Sequence, residues 1–203
     1  MAELLRTHPL EAWAAAWENT ARGNTARESL PGTVGIAVEP FVSMTDLRIG
    51  ARGPEVPAAL GVALPAAPNT WVQAGSGRAI WLGPDEWLLT STTERPEQLE
   101  RRIRAATLPF GAAVVDVSAQ RITLRLTGSR ARDVLAKGCS IDLHPRSFGR
   151  GGSAQTTLAQ AGVVLLALSD SGDDYAVLVR SSFAGYLAEW LADAALEFTT
   201  VGS

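Results

Sequence analysis

The chain has 203 residues, 46% of them hydrophobic and 19% charged, which suits a globular body with a substantial core. Lys plus Arg is 18 against 21 Asp plus Glu, a net charge of −3 with scattered arginines, which argues against a nucleic-acid-binding surface. Cys139 is the single cysteine, so no disulfide forms within the chain, and the longest apolar run, 161–168, falls far short of the ~20 residues that span a bilayer. The start, MAELLRTHPL, lacks the basic-then-apolar pattern of a signal peptide. The expectation is a cytoplasmic protein without nucleic-acid or membrane partners.

Residues 1–30 stand apart. Leu10, Trp13, Ala14 and Trp17 recur at helical spacing before the polar stretch ENTARGNTARES. This reads either as a short amphipathic helix packed on the body or as an arm that docks on another protein through Trp13 and Trp17, tryptophan being enriched at interface hot spots. Residues 32–40 and 43–49 read as strands. Residues 54–60 read as a short helix opened by Pro54 and closed by Gly61, and the prolines within 64–68 make a loop. Residues 70–74 and 78–82 flank Gly75-Ser76-Gly77 as a hairpin, 86–91 is the next strand, and 96–106 is a helix with Leu99, Ile103 and Ala106 inside. Arg101, Arg102 and Arg104 lie on this helix beside Glu97 and Glu100, acid-first pairs that mark a solvated or partner-facing surface.

Residues 112–117 lead into a strand at 121–126 and a helix N-capped by Ser129, buried through Ala131, Val134 and Leu135. A loop from Cys139 to Gly152 carries His144-Pro145 and the tip Gly149-Arg150-Gly151-Gly152. Strands follow at 154–158, 163–168 and 175–180. Phe183, Tyr186, Leu187, Trp190, Leu191 and Ala194 fall at i, i+3, i+4, i+7, i+8 and i+11, the clearest amphipathic helix of the chain.

The middle of the chain is written twice. DLRIGARGPEVPAALG, from Asp46 to Gly61, matches TLRLTGSRARDVLAKG, from Thr123 to Gly138, and each copy precedes two or three strands and a helix. Trp87 and Tyr175 take equivalent places. The expected fold is α+β, with duplicated β-α-β-β-β-α units. Residues 31–110 form the first half and 111–203 the second, together one compact domain, with 1–30 as an arm.

Chemistry-bearing motifs are scarce. His8 and His144 belong to no metal-ligand pattern, and no nucleophile elbow is present; His144, beside Pro145, reads as structural. The 149–152 tip reads as a flexible glycine-permitted loop or as a rest for an anion with Arg146 or Arg150. Asp116, flanked by valines, reads as half of an ion pair with Arg121 or Arg125, or as a buried functional carboxylate. Asp116 and Glu86 are the candidates for a carboxylate that holds a pteridine.

Three segments carry a family resemblance: WLGPDEWLL (81–89), DVSAQR (116–121) and KGCSIDLHPRSF (137–148), extended by AQT (154–156) and RSSFAGY (180–186). They resemble the gamma subunit of heterotetrameric sarcosine oxidase from about Val38 onward. The resemblance implies a fold similar to the folate-binding fold of aminomethyltransferases. It also implies a place in a complex with alpha, beta and delta subunits that turns sarcosine, tetrahydrofolate and O2 into glycine, methylenetetrahydrofolate and H2O2. FAD, FMN, NAD and zinc are then expected in the partner subunits, with no cofactor, metal or catalytic residue in this chain. The expected role is non-catalytic assembly; a stand-alone folate-binding, aminomethyltransferase-like protein is the alternative. Exposed aromatics, Trp13, Trp17, Trp71 and Trp81, are expected to meet a partner. Trp13, Trp17, His144, Arg146, Phe148 and Arg150 are the candidate interface residues.

Overall fold

The computed structural model describes residues 9–15, 34–39, 42–50 and 55–199. In chain order its elements are β1 (Gly35–Val38), β2 (Ser43–Arg48), α1 (Glu55–Leu60), β3 (Trp71–Ala74), β4 (Gly77–Gly83), β5 (Glu86–Ser91), α2 (Pro96–Thr107), β6 (Ala113–Asp116), β7 (Arg121–Thr127), α3 (Ala131–Ala136), β8 (Ser153–Leu158), β9 (Ala161–Ala167), β10 (Asp174–Arg180) and α4 (Ala184–Thr199). The repeat is therefore β2-α1-β3-β4-β5-α2 followed by β7-α3-β8-β9-β10-α4.

Two antiparallel five-stranded sheets result, ordered β3-β4-β5-β2-β6 and β8-β9-β10-β7-β1. The four repeat strands take the same order in both. The fifth is exchanged: β6, leading into the second copy, extends the first copy's sheet, and β1, leading into the first, extends the second's.

Strand alternation builds three cores. Leu47, Trp87, Leu89 and Val114 on one face of the first sheet pack with Val56, Leu60, Leu99 and Ile103 from α1 and α2. Leu124, Leu126, Tyr175 and Val177 on one face of the second pack with Val134, Leu135, Leu187 and Leu191 from α3 and α4. The remaining faces meet each other through Met44, Trp71, Ile80, Leu88, Val164, Leu166, Ala176 and Leu178. The layers run helix, sheet, sheet, helix, each sheet burying both faces. Leu10 and Trp13, at the start of a helical turn over residues 11–15, join the α4-side core.

Ties cross the middle layer. Trp71 Nε1 donates to Ala167 O at 3.0 Å, and Gln155 Nε2 donates to Leu82 O at 2.6 Å. Trp71 pairs with Ile80 as Gln155 pairs with Val164, so these two side chains hold equivalent positions and each reaches the opposite sheet. Trp71 is thus 9% exposed, not the free aromatic expected from sequence: strand alternation turns it inward, and its N–H finds a carbonyl there. Trp81 is half-buried on the α1–α2 side.

The glycines closing the repeated helices act differently. Gly61 has φ +67° with open space around it, whereas a Cβ on Gly138 would sit 2.5 Å from the Trp190 ring. The first satisfies a left-handed helix end, the second a close approach of α4. Ser129 does not cap α3; its turn is closed by the Ala131 amide on Gly128 O, and Arg130 holds the N-cap position. Trp87 lies opposite Leu47 and Tyr175 opposite Leu126, so the two aromatics share a face type but stand two residue pairs apart in the repeat register.

Candidate functional site

The loop from Cys139 to Gly152 is locally over-determined. Asp142 accepts from the His144 amide at 2.9 Å and from Ser147 Oγ at 2.6 Å. The Ser147 bond, then the His144 amide, holds its carboxyl below the usual carboxylate range. His144 Nδ1 accepts from the Arg146 amide at 3.2 Å, tying the imidazole into the same turn. Phe148 points inward, buried and stacked on Tyr175 with ring centroids 6.5 Å apart. It supports the loop from beneath, while His144, Arg146 and Arg150 stand exposed outside.

The glycine tip is a seam. The Gly151 amide donates to Ala167 O and the Gly152 amide to Gly149 O, so neither is free for an anion. Gly151 O accepts from the Trp71 amide, and Ser153 N donates to Asn69 O, which fastens the tip to the entry of β3. Trp13 is half-buried; Trp17 lies outside the described residues, as does His8.

Asp116 is exposed and pairs with neither Arg121 nor Arg125. Its Oδ1 accepts from the Ser118 amide at 2.9 Å and from Ser118 Oγ, closing the turn after β6. An Asp two residues before a polar hydroxyl is a turn signature, and local hydrogen bonding outcompeted the distant arginines.

The polar chemistry of the molecule gathers instead between the sheets, at opposite ends of β7. At one end Glu39, held beside β7 by its amide on Thr123 O, accepts two bonds from Arg78 at 3.3 Å each. Arg125 donates to both oxygens of Asp174 at 2.9 and 2.6 Å, which reinforces its charged state, and lies 3.9 Å from Glu39. Arg78 also lies over the Trp71 ring. Every charge at this end has an opposite partner.

The other end is built from Asp46, Arg48, Glu86, Arg121 and Arg180, which alternation places on the inter-sheet side. Arg48 pairs with Glu86 at 2.9 Å. Asp46 Oδ1 is buried without a hydrogen-bond partner. Burial first, then the charge and hydrogen bond of Glu86, push its carboxyl above the usual range; Arg48 and Arg121 pull it back. Burial of the orphaned oxygen beside a second carboxyl is thus what disfavours the charged form of Asp46.

Arg121 and Arg180 are cross-strand partners on β7 and β10. Neither has an acidic group within 4 Å among the described residues. Burial, then the Arg180 charge, lowers the Arg121 pKa. Val115, the β6 partner of Asp46, is 55% exposed at this end. Sequence reading singled out Glu86 and Arg121 separately, but nothing in spacing joined them into this cluster; the LR of each repeat copy places Arg48 and Arg125 as the equivalent cation at the two ends.

No group of three or more His, Cys, Asp or Glu is arranged to hold a metal among the described residues, and no described helix is long and apolar enough to cross a membrane.

Comparison with known proteins gives a consistent picture. Residues 47–197 match the model of the sarcosine oxidase, gamma subunit family. The sarcosine oxidase subunit gamma of Corynebacterium sp. strain U-96 is 41% identical over 143 residues, 70% of this chain and 68% of that one. A chain in the structure of heterotetrameric sarcosine oxidase from Corynebacterium sp. U-96 is 35% identical, superposes with a TM-score of 0.81 and is matched over 99% of its length by 98% of this chain. The glycine cleavage system aminomethyltransferase T from Bartonella henselae, 15% identical with a TM-score of 0.55, shares the fold over 81% of this chain and 49% of its own.

Proposed function

The chain belongs to the sarcosine oxidase gamma subunit family, and from that premise we propose that it is a non-catalytic structural and assembly subunit of a heterotetrameric sarcosine oxidase. The observation that carries this reading is the end-to-end likeness to a chain of such an oxidase. Its partners are then the alpha, beta and delta subunits, which hold FAD, FMN, NAD and zinc. The assembly works in the cytoplasm, converting sarcosine, tetrahydrofolate and O2 to glycine, methylenetetrahydrofolate and H2O2.

The side chains support a scaffold role. His144 is engaged in its own turn, Asp116 caps another, and the glycine tip is spent on the seam to β3. In this reading the halves 31–110 and 111–203 form one rigid body. The arm of residues 1–30, with Trp13 and Trp17, and the loop face of His144, Arg146 and Arg150 held up by Phe148 add contacts to partners. Co-expression with tagged alpha or beta subunit tests it: the chain is expected to be retained on the tag, and the chain alone to leave sarcosine unoxidised. A well-behaved monomer with no affinity for either subunit overturns the reading.

The stand-alone folate-binding alternative draws on the aminomethyltransferase fold and on the Asp46–Glu86 pair as a place for a pteridine. Calorimetric titration of the free chain with tetrahydrofolate separates the two, because the assembly reading expects no heat of binding up to millimolar ligand.

A further inference from the structure

The two ends of the inter-sheet layer have the same strands but different charge bookkeeping. Matching register puts Thr123 where the first copy has Asp46, and Glu39 where it has Val115. Likewise Met44 and Thr90 stand in the first copy where the second has Arg121 and Arg180. The end at Glu39 carries an acid on its edge strand and closes on Arg78 and Arg125. The end at Val115 has lost that acid and gained two arginines. Guanidinium groups on directly opposed cross-strand positions repel, and half-burying Arg121 sharpens the cost unless a counter-charge arrives. Asp46 and Glu86 attract Arg121 from a distance but close no ion pair with it within 4 Å among the described residues, and Glu86 is engaged by Arg48. The surroundings are open, with Arg180 and Val115 exposed and Phe183, three residues beyond Arg180, 43% exposed.

We propose that this end of the layer docks another subunit of the oxidase, which presents a carboxylate to Arg121 and Arg180 and an apolar side chain to Val115. Charge complementarity selects the occupant, because the unmatched charge is a pair of guanidiniums whose planar donors suit a carboxylate. The inference rests on the assembly reading above and assigns it a surface.

Arg180→Gln is the decisive variant. It removes the repulsion with Arg121, so the thermal midpoint of the free chain is expected to hold or rise, while affinity for the tagged partner subunits falls at least about tenfold. Those two readouts move in opposite directions, which misfolding cannot produce. Amide exchange at Val114–Asp116 and at Arg180 is expected to slow only in the complex. Arg101→Glu, on the far side of α2, is the control that leaves affinity unchanged. Wild-type affinity in Arg180→Gln, or unchanged exchange at both segments, overturns the docking surface while the assembly reading stands. Failure of the wild-type chain to be retained overturns both. Binding of free acetate or glycine at Arg121 and Arg180, with assembly unaffected by Arg180→Gln, assigns a small carboxylate there instead and also overturns it.

Discussion

The end of the middle layer around Glu39 and the end around Val115 share strands, register and one arginine of the repeat, yet one is closed and the other open. At the closed end Arg125 is held by Asp174 and neighbours Glu39, which also holds Arg78. At the open end the equivalent Arg48 keeps one acid, and Arg121 and Arg180 keep none within 4 Å among the described residues. Duplication supplies a frame in which only a few substitutions, Glu39 against Val115 and Thr90 against Arg180, decide whether an end becomes internal glue or surface. Charge pairing inside one sandwich contributes to cohesion; the same residue types left unpaired become a reason to associate.

The sharpest way to break that comparison is through the ties the copies share. Trp71→Ala is expected to cost about 3–5 kcal/mol in urea unfolding, since it empties a buried position between the sheets and removes one of the two donors to the Ala167 carbonyl, leaving the Gly151 amide. Gln155→Ala, its equivalent on an exposed rim, is expected to cost about 1 kcal/mol or less. Equal losses would mean the two ties carry the layer alike.

The helix-closing glycines come next. Gly138→Ala forces a Cβ against Trp190 and is expected to cost about 1–3 kcal/mol by thermal unfolding, with a change in tryptophan fluorescence. Gly61→Ala meets open space and is expected to cost about 1 kcal/mol, from its positive φ alone. Smaller again, Arg125→Ala at the closed end is expected to cost at most about 1 kcal/mol, because the side chain is 41% exposed and solvent screens its pairs. Arg48→Ala at the open end is expected to leave the midpoint unchanged; a larger loss there than at Arg125 would reverse the assignment of the two ends.

The last contrast is in pH. Burial and Glu86 raise the Asp46 carboxyl, so the folded chain holds that proton more tightly than the unfolded chain does. Ionising it therefore costs stability. The cost is absent at pH values below the unfolded carboxyl range and complete above the folded value. Asp46→Asn is expected to raise the melting temperature at pH 7 and to match wild type near pH 3. A variant less stable than wild type at pH 7 would mean that the pull of Arg48 and Arg121 outweighs burial.

Much of this architecture was legible in the residues. The α4 periodicity, the Gly75–Gly77 hairpin, the helix over 96–106 and the duplicated unit depend on local propensity and spacing, which the chain states directly. Partner choice does not. A run such as Ala113–Asp116 announces a strand, but nothing local says that it pairs with β2 rather than β7. The open-end cluster was hidden for the same reason, because Asp46 and Arg121 meet only once the two sheets stack. Trp71 misled because composition marks tryptophan as an anchor without saying on which side of a strand it falls. Asp116 misled because flanking valines suggested burial at a strand that turned out to be an edge.

The exchange of β1 and β6 carries a consequence for the order in which the molecule is made. β1 leaves the ribosome early, but its only partner among the described residues, β7, begins at Arg121. At about 5–20 residues per second that interval is on the order of 10 s. The first sheet needs only β6 to be complete, and β6 arrives just before β7. The chain therefore finishes its first sheet with a strand borrowed from downstream, and its N-terminal strand is the piece that waits. Its closure is a late event.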